Sequence, residues 1–302
     1  MKKRIGLTGG TGFIGQYLIR DFGDDYDFVA ITSRDEIDGL SPKAGYKKAP
    51  YDKDGFLRVF KGCDAVVHLG ASIPNQVSAI GSMEEYETNI LTSERLLKAC
   101  GELGIKRIVN VSSVSVYNKK SRMPLNESMP SQPDNCYGLS KVTVELMAEM
   151  LAKSCGFSVI TLRVSQVLGY MRGRNNGFFS MLLKNACEGK VITVYGQGVA
   201  ARDYIYVKDV SRAIVSAIER SDCTGVFNIG SGCPTTNREL AEAYIAGTDS
   251  ASNIAHKDVE NEDTRFWYMD TTKAKQQLGF VPAYSPVDMA RDMKREMELA
   301  ER

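Results

Sequence analysis

The first half of the chain alternates short apolar runs with longer segments whose apolar residues recur at helical spacing. The runs are apolar throughout and rich in β-branched residues, which is typical of parallel strands covered on both faces. They are Arg4–Thr8, Phe28–Ser33, Ala65–Leu69, Arg107–Val111 and Val159–Val164. The helical segments between them are Phe13–Phe22, Glu84–Leu103 and Tyr137–Ser154. This alternation predicts an α/β fold with a Rossmann-type, doubly wound parallel sheet.

Beyond Gly169 the pattern changes to shorter and less regular elements, which predicts a smaller α/β lobe for substrate binding. One later segment, Val226–Gly230, again has the pattern of a buried strand and suggests that the chain returns to the first lobe. We therefore predict a dinucleotide-binding domain of residues 1–168 plus about 204–230, and a substrate-binding lobe of residues 169–203 plus 231–302. Residues Pro286–Glu298 predict a final amphipathic helix.

Composition narrows the environment of the protein. Its 302 residues carry a formal net charge of +1, which gives no field for nucleic acid or an anionic membrane. No apolar run reaches the roughly 18 residues of a membrane span. Seven scattered cysteines without a C-x-x-C pair, and only two histidines, indicate reduced thiols and no metal site. We expect a cytoplasmic protein that binds neither nucleic acid nor membrane.

A glycine-rich loop lies between the first predicted strand and the first predicted helix. Its glycines at 9, 10, 12 and 15 satisfy both G-x-x-G-x-x-G and G-x-G-x-x-G. Such glycines allow a tight turn and close approach to a pyrophosphate, and the helix N-terminus supplies free N–H groups. The strand–loop–helix setting favours this interpretation over a turn that binds nothing. The residues expected at the cofactor are Gly9, Gly12, Phe13, Ile14 and Gly15.

The end of the second predicted strand bears on the choice between NAD and NADP. If the strand ends at Thr32, Ser33 and Arg34 face the ribose, and an arginine suits the 2′-phosphate of NADP. If the register slips, Asp35 takes the ribose hydroxyls and the cofactor is NAD. A solvated charge cluster is the third possibility. The residues favour NADP slightly.

Tyr137, Lys141 and Ser113 form the candidate catalytic group. A free tyrosine hydroxyl has a pKa of roughly 10, so it is a poor base at neutral pH. Lys141 follows Tyr137 by one helical turn, so its ammonium is placed to stabilise the phenolate. Ser113, at a strand end, is placed to hydrogen-bond the reacting oxygen. A Y-x-x-x-K pair alone is often a helix-surface pair; its conjunction with the serine and the glycine loop points to hydride transfer on an alcohol or ketone.

With these residues in place, the chain resembles, nearly end to end, the extended short-chain dehydrogenase/reductase superfamily in its nucleotide-sugar epimerase/dehydratase branch. The resemblance includes the segments 63–71, 86–89, 162–169, 202–209, 228–232 and 270–274. It implies that Asp52 contacts the adenine and that Asn89 and Ser165 line the cofactor. It also implies that Leu69, Gly70 and Ala71 line the pyrophosphate and the nicotinamide ribose.

The resemblance further implies a nucleotide-sugar substrate. The residues that it places there are Ser113, Gln166, Asn176, Arg202 and Arg265. Two positions depart from the family pattern: Gln166 replaces the usual asparagine, and Glu260 replaces an arginine, for which Arg265 is a candidate substitute. Trp267 lies where related enzymes gate access to the sugar, although a buried aromatic is an equal alternative.

The family's dehydratases carry an Asp-Glu pair directly after the Ser/Thr position, and its decarboxylases carry a Glu there. Val114 and Ser115 fill these positions and cannot transfer protons. We therefore expect an NAD(P)-dependent nucleotide-sugar 4-epimerase that oxidises C4 transiently. The alternatives are an NADPH-dependent 4-ketoreductase and, as a third, a non-catalytic NAD(P)-sensing protein, although relatives of that kind typically lack the Tyr or the Lys. The long helices 84–103 and 137–153 resemble those that pair across family dimers, so we expect a homodimer.

Overall fold

The computed structural model describes residues 2–37, 39–73, 83–118, 120–174 and 177–301. The strands of this part of the chain are β1 Arg4–Thr8, β2 Asp27–Thr32, β3 Ala44–Lys48, β4 Ala65–His68, β5 Arg107–Ser113, β6 Ser158–Val164, β7 Gln166–Leu168, β8 Ile192–Tyr195, β9 Ala201–Tyr206, β10 Gly225–Ile229, β11 Pro234–Thr236, β12 Ile254–Lys257 and β13 Phe266–Trp267. The α-helices are α1 Phe13–Phe22, α2 Lys53–Val59, α3 Met83–Glu102, α4 Cys136–Cys155, α5 Phe178–Cys187, α6 Val207–Glu219, α7 Asn237–Gly247 and α8 Pro286–Glu301.

Seven parallel strands form the central sheet, in the order β10-β6-β5-β4-β1-β2-β3. The chain runs outward from β1 to β3 on one side and from β4 to β10 on the other. The strand order therefore changes direction between β1 and β4. In open α/β sheets, ligands bind at this switch point, beyond the carboxyl ends of the strands. The predicted Rossmann-type doubly wound fold is confirmed.

Helices cover both faces of the sheet because the side chains of each strand alternate between two apolar cores. On β1, Ile5 and Leu7 belong to the core under α1 and α6. On β2, Val29 and Ile31 belong to the core under α2, α3 and α4. The inner strands are therefore mostly apolar on both faces, which is the pattern seen in the sequence.

The later elements form smaller sheets beside the central one. Strand β9 pairs with β7, β11 and β13, and β8 pairs with β12. Helices α5, α7 and α8 pack on them around a separate core that includes Leu240 and Tyr244. Strand β10, at 225–229, belongs to the central sheet instead. The domain boundaries near residues 168, 204 and 230 stay a prediction.

Asp203 on β9 joins the two groups of strands. Its buried carboxylate accepts hydrogen bonds from Ser165 Oγ at 3.2 Å and from the backbone N–H of Ser231, Gly232 and Met269 at 2.7, 3.1 and 3.1 Å. Burial raises the pKa of Asp203, while these hydrogen bonds favour its ionised form. One carboxylate therefore holds the residue after β6 and the loop after β10 against β9.

In the first half of the chain, the sequence patterns missed the edge strand β3 and the short helix α2, whose first turn is capped by Asp52. Helix α6, which packs in the core of the central sheet, was not predicted either. Among the described helices, none combines the length and apolar composition needed to span a bilayer.

Candidate active site

A cavity of about 750 Å³ opens at the carboxyl ends of β1, β4, β5 and β6, at the switch point of the sheet. It is lined by the glycine loop on one side and by the start of α4 on the other. The predicted site residues in its wall are Gly9, Gly12, Phe13, Ile14, Gly15, Leu69, Gly70, Ala71, Asn89, Ser113, Tyr137, Lys141, Ser165 and Gln166. The structure thus brings most of the predicted residues together in one place.

The glycine loop leaves no room for side chains. Gly9 has φ +69°, and a Cβ there would lie 2.8 Å from the backbone nitrogen of Gly70. A Cβ on Gly15 would lie 2.4 Å from the carbonyl oxygen of Gly9. The N-cap residue of α1, Gly12, has no side chain to cap the first N–H groups of the helix. This backbone cradle with uncapped donors fits the pyrophosphate of a dinucleotide.

Close packing at the start of α4 places Tyr137 beside Ser113. Asn135 caps the helix by accepting the N–H of Gly138 at 2.7 Å. A Cβ on Gly138 would lie 2.1 Å from the carbonyl oxygen of Ser115, so only glycine allows the helix to approach the end of β5 this closely. Ser113 is the last residue of β5, and its hydroxyl lies near enough to the Tyr137 phenol to lower the pKa of that phenol.

Lys141 is buried beneath Tyr137. Its ammonium donates a 2.9 Å hydrogen bond to the carbonyl oxygen of Val111 and lies 5.7 Å from the centre of the Tyr137 ring. Burial lowers the pKa of Lys141 to about 8, and the nearby Glu145 opposes this shift. A desolvated amine, bonded to the end of β5, therefore lies at the bottom of the site.

Burial also raises the pKa of Tyr137 to about 12, and the nearby Ser113 hydroxyl offsets this rise only in part. The sequence suggested that Lys141 would lower the pKa of this phenol. In the polypeptide alone it does not, because burial dominates and the ammonium is bonded to Val111. A positive charge beside the phenol, such as that of a nicotinamide cation, would lower its pKa.

Three predicted cofactor residues lie outside the cavity wall. Strand β2 ends at Thr32, as the NADP interpretation requires, and Ser33 and Arg34 follow it on the surface. Arg34 lies near enough to Tyr51, a cavity residue, to oppose the rise that burial causes in the pKa of its phenol. Asp52 uses its carboxylate to cap α2, accepting the N–H of Gly55 at 2.8 Å.

The predicted substrate residues are divided. Gln166 lines the cavity, whereas Arg202 and Arg265 lie outside its wall. Arg202 is on β9, and Arg265 directly precedes β13, the strand that pairs with β9. Both guanidinium groups bind one carboxylate, that of Asp263, at 2.8 and 2.7 Å. These ion pairs hold the pKa of Asp263 at about 2. Asn176 lies outside the described residues.

Several cavity residues were not predicted. They include Tyr51, which lies three residues after β3, and Arg174. They also include Thr88 and Thr92, which lie one turn apart on α3. The Arg174 guanidinium stacks on the Phe13 ring, 3.8 Å from its centre. The helical spacing of the two threonines around Asn89 could have been used to predict them, whereas the contact of Arg174 with Phe13 joins distant segments.

Trp267, the proposed gate, lines the cavity. Among the described residues, no group of three or more His, Cys, Asp or Glu is placed to hold a metal.

A model of the NAD-dependent epimerase/dehydratase family matches residues 5–230 of the chain. The chain belongs to this family. A dTDP-glucose 4,6-dehydratase of Streptomyces griseus is 29% identical over 308 residues, covering 96% of this chain and 92% of the relative. The family and the expectation of an NAD-dependent enzyme type are confirmed.

Solved structures give the same assignment. A UDP-N-acetylglucosamine 4-epimerase from Bacillus cereus has a TM-score of 0.86 and 27% identity, covering 98% of this chain and 97% of the other. A UDP-glucose 4-epimerase from Thermotoga maritima, solved with UDP-glucose, has a TM-score of 0.86 and 26% identity, covering 99% and 100%.

Replacing Gly15 by alanine tests the cradle. Because the new Cβ would meet the Gly9 carbonyl oxygen, we expect NAD affinity to fall about a hundredfold by calorimetry. Gly45→Ala is the matched control, since its Cβ would meet nothing closer than 3.8 Å, and should bind normally. A folded Gly15→Ala protein with unchanged affinity would contradict the assignment of this loop.

Proposed function

We propose that this protein is an NAD(P)-dependent nucleotide-sugar 4-epimerase. The observation that carries the proposal is the meeting of Tyr137, Lys141 and Ser113 in the same cavity as the glycine cradle. A bound nicotinamide dinucleotide, held by the glycine loop and by residues 69–71 and 89, would accept hydride from the sugar C4 carbon and return it. The residues of the protein then have only to remove and return one proton.

Each catalytic residue has one role in this proposal. Tyr137 takes the proton of the sugar 4-hydroxyl on its phenolic oxygen and later returns it. Ser113, which lines the cavity beside that phenol, orients the reacting oxygen. Lys141 holds the ribose of the dinucleotide and favours the phenolate once the buried site also contains a cationic ring.

Elimination chemistry has no proton donor at the position where the family's dehydratases place it. Val114 is buried and apolar, and Ser115 follows it in the single helical turn after β5. A serine hydroxyl is too weak an acid to take the place of a carboxyl pair. The dehydratase named among the relatives is therefore not the activity that we propose for this chain.

For substrate binding, we propose that Arg202 and Arg265 hold the diphosphate while Gln166 contacts it from the cavity. The supporting observation is that both arginines already converge on one anion, the Asp263 carboxylate. Paired guanidinium groups suit a diphosphate, which carries more charge than a carboxylate and would replace it. Arg265 would then substitute for the arginine that Glu260 replaces. Asn176 stays a predicted contact.

The Tyr137→Phe variant should lose about a thousandfold in turnover of a UDP-hexose, because it lacks the group that accepts the 4-hydroxyl proton. Its affinity for NAD should be retained. The exposed Tyr195→Phe is the control and should be fully active. Near-normal turnover by Tyr137→Phe, measured by nuclear magnetic resonance of the two C4 epimers, would refute the mechanism.

The second candidate is a 4-ketoreductase, which the exposed Arg34 and the position of both diphosphate arginines outside the cavity wall favour. The two activities differ in redox balance. An epimerase leaves the dinucleotide unchanged over many turnovers, whereas a reductase consumes one NADPH for each product.

The cofactor preference has its own test. We propose a slight preference for NADP, because Arg34 is the second residue after β2 while Asp35 is paired with Lys48. Arg34→Ala should weaken NADP binding about tenfold and leave NAD binding unchanged, as the 2′-phosphate loses its cation. Arg58→Ala, an exposed arginine of α2, should change neither affinity. Tighter binding of NAD than of NADP by the unmodified protein would reverse this proposal.

We also propose that the protein is a homodimer paired through α3 and α4. These helices pack on each other and expose large apolar side chains, Leu91 on α3 and Leu139, Leu146 and Met150 on α4. The three residues of α4 recur at intervals of seven and four, so they share one face. A second copy of the same helices would bury this face in a four-helix bundle.

Replacing Leu146 and Met150 together by glutamate should dissociate the dimer in sedimentation at micromolar concentration. Burying two carboxylates in an apolar interface should raise the dissociation constant at least about a hundredfold. Leu299→Glu, a charge placed at an exposed leucine of α8, should leave the dimer intact. An unmodified protein that sediments as a monomer would exclude the dimer.

A further inference from the structure

A chain of buried hydrogen bonds that the proposed mechanism does not use connects β1 to α4. Thr8 Oγ1 lies 2.7 Å from His68 Nδ1, and His68 Nε2 lies 2.8 Å from Ser93 Oγ. Ser93 Oγ donates to the Asn89 carbonyl oxygen at 2.6 Å, and Asn89 Nδ2 donates to Ser140 Oγ at 3.1 Å. All five residues are buried. The chain thus crosses from the sheet through α3 to the catalytic helix.

Counting donors and acceptors fixes the state of the imidazole. Ser93 gives its only proton to Asn89, so its oxygen must accept a hydrogen bond from His68 Nε2–H. In a neutral ring, Nδ1 then accepts the proton of Thr8. The Thr8 oxygen in turn accepts the N–H of Gly70 at 3.0 Å. With the ring neutral and protonated on Nε2, each of these groups is satisfied.

A charged imidazole would break this pattern, since Nδ1–H would leave the Thr8 hydroxyl proton without its acceptor. His68 is 2% exposed, and burial lowers its pKa to about 3, with the Lys141 ammonium acting in the same direction. The environment therefore keeps the ring neutral at neutral pH.

Both ends of this series of hydrogen bonds reach the active site. Gly70, whose N–H binds Thr8, lines the cavity. Ser72, two residues after Gly70, donates its backbone N–H to the Asn89 carboxamide at 2.7 Å and accepts from it on its carbonyl oxygen at 3.0 Å. At the other end, Ser140 Oγ donates to the carbonyl oxygen of Tyr137 at 2.7 Å. The cavity wall at 70–72 and the first turn of α4 are thus connected through α3.

We propose that His68 is a positioning residue which, as a neutral Nε2–H imidazole, holds segment 70–72 in the geometry that binds the dinucleotide and in register with the Tyr137 turn. The inference rests on the proposed site only for its dinucleotide and not for the sugar or the reaction. A protein that inverts no sugar would therefore refute the 4-epimerase and leave the readouts below unaffected.

Nitrogen-15 labelling of histidine tests the tautomer directly. The chain has two histidines, so the full-length His256→Gln variant leaves His68 as the single labelled ring. We expect a protonated Nε2 and an unprotonated Nδ1 at every pH from about 5.5 to about 8.5, unlike an ordinary histidine. A ring that carries its proton on Nδ1, or that titrates within this range, would overturn the proposal.

Two buried serines make a matched pair for the functional test. Ser93 and Ser211 each donate to the carbonyl oxygen four residues earlier on a helix, but only Ser93 also accepts from His68. Ser93→Ala should weaken NAD binding about tenfold and shift the His68 proton toward Nδ1, because Nε2–H loses its acceptor. Ser211→Ala should change neither readout, although both variants should lose some thermal stability.

Thr8 supplies a second pair should Ser93→Ala fail to fold. Thr8→Val removes the hydroxyl at nearly constant volume and should weaken NAD binding about tenfold. Thr8→Ser keeps the hydroxyl and should bind NAD as the unmodified protein does. Equal NAD affinity in Thr8→Val and Thr8→Ser, or in Ser93→Ala and Ser211→Ala, would show that the chain has only a structural role.

Discussion

A lysine ammonium buried at the end of a parallel strand is the constraint on which the site depends. Lys141 is 5% exposed and lies where α4 crosses the end of β5. Removing such a charge from water costs several kcal/mol unless hydrogen bonds replace the lost solvent, and the Val111 carbonyl supplies one. A strand carbonyl at this position is available because Val111 lies near the end of β5, where α4 packs against the strand.

The surroundings of Lys141 are arranged to keep this charge in place. Glu145, one turn further along α4, binds the guanidinium of Arg163 at 2.6 Å and accepts the hydroxyl of Ser112. The carboxylate is therefore neutralised by an arginine of β6 and opposes the fall in the lysine pKa only partly. Tyr137 lies above the ammonium with its own pKa raised by burial. In the proposed mechanism, a bound cationic ring lowers the pKa of this phenol, so that proton transfer depends on bound cofactor.

Sequence patterns were sufficient for most of the buried strands and helices in the first half of the chain. The runs that became β1 and β4, and the helix α1, lie in the core, where burial on both faces or on one stripe leaves a clear hydrophobic period. Strand β3 was missed because it forms the sheet edge and its residues, such as Lys47 and Lys48, remain in solvent. Helix α2 has seven residues, too few for a period to emerge.

The site shows the same division. The glycine loop and the Tyr137–Lys141 spacing are local and could be found along the sequence. The pairing of Arg202 and Arg265 through Asp263 depends on β13 lying beside β9, and the chain from Thr8 to Ser140 crosses four separate elements. Such contacts have no fixed spacing. The pKa of Tyr137 likewise follows from three-dimensional burial, which no motif records.

The central claim is that a phenol and an amine at the start of α4 act together on a dinucleotide at the switch point of the sheet. A crystal structure of the protein with NAD and a UDP-hexose tests this most directly. The account predicts the Tyr137 hydroxyl within hydrogen-bonding distance of the sugar 4-oxygen, on the side of the reactive nicotinamide carbon, with Lys141 against the ribose. A dinucleotide bound elsewhere, or a Tyr137 hydroxyl turned to bulk solvent, would contradict it.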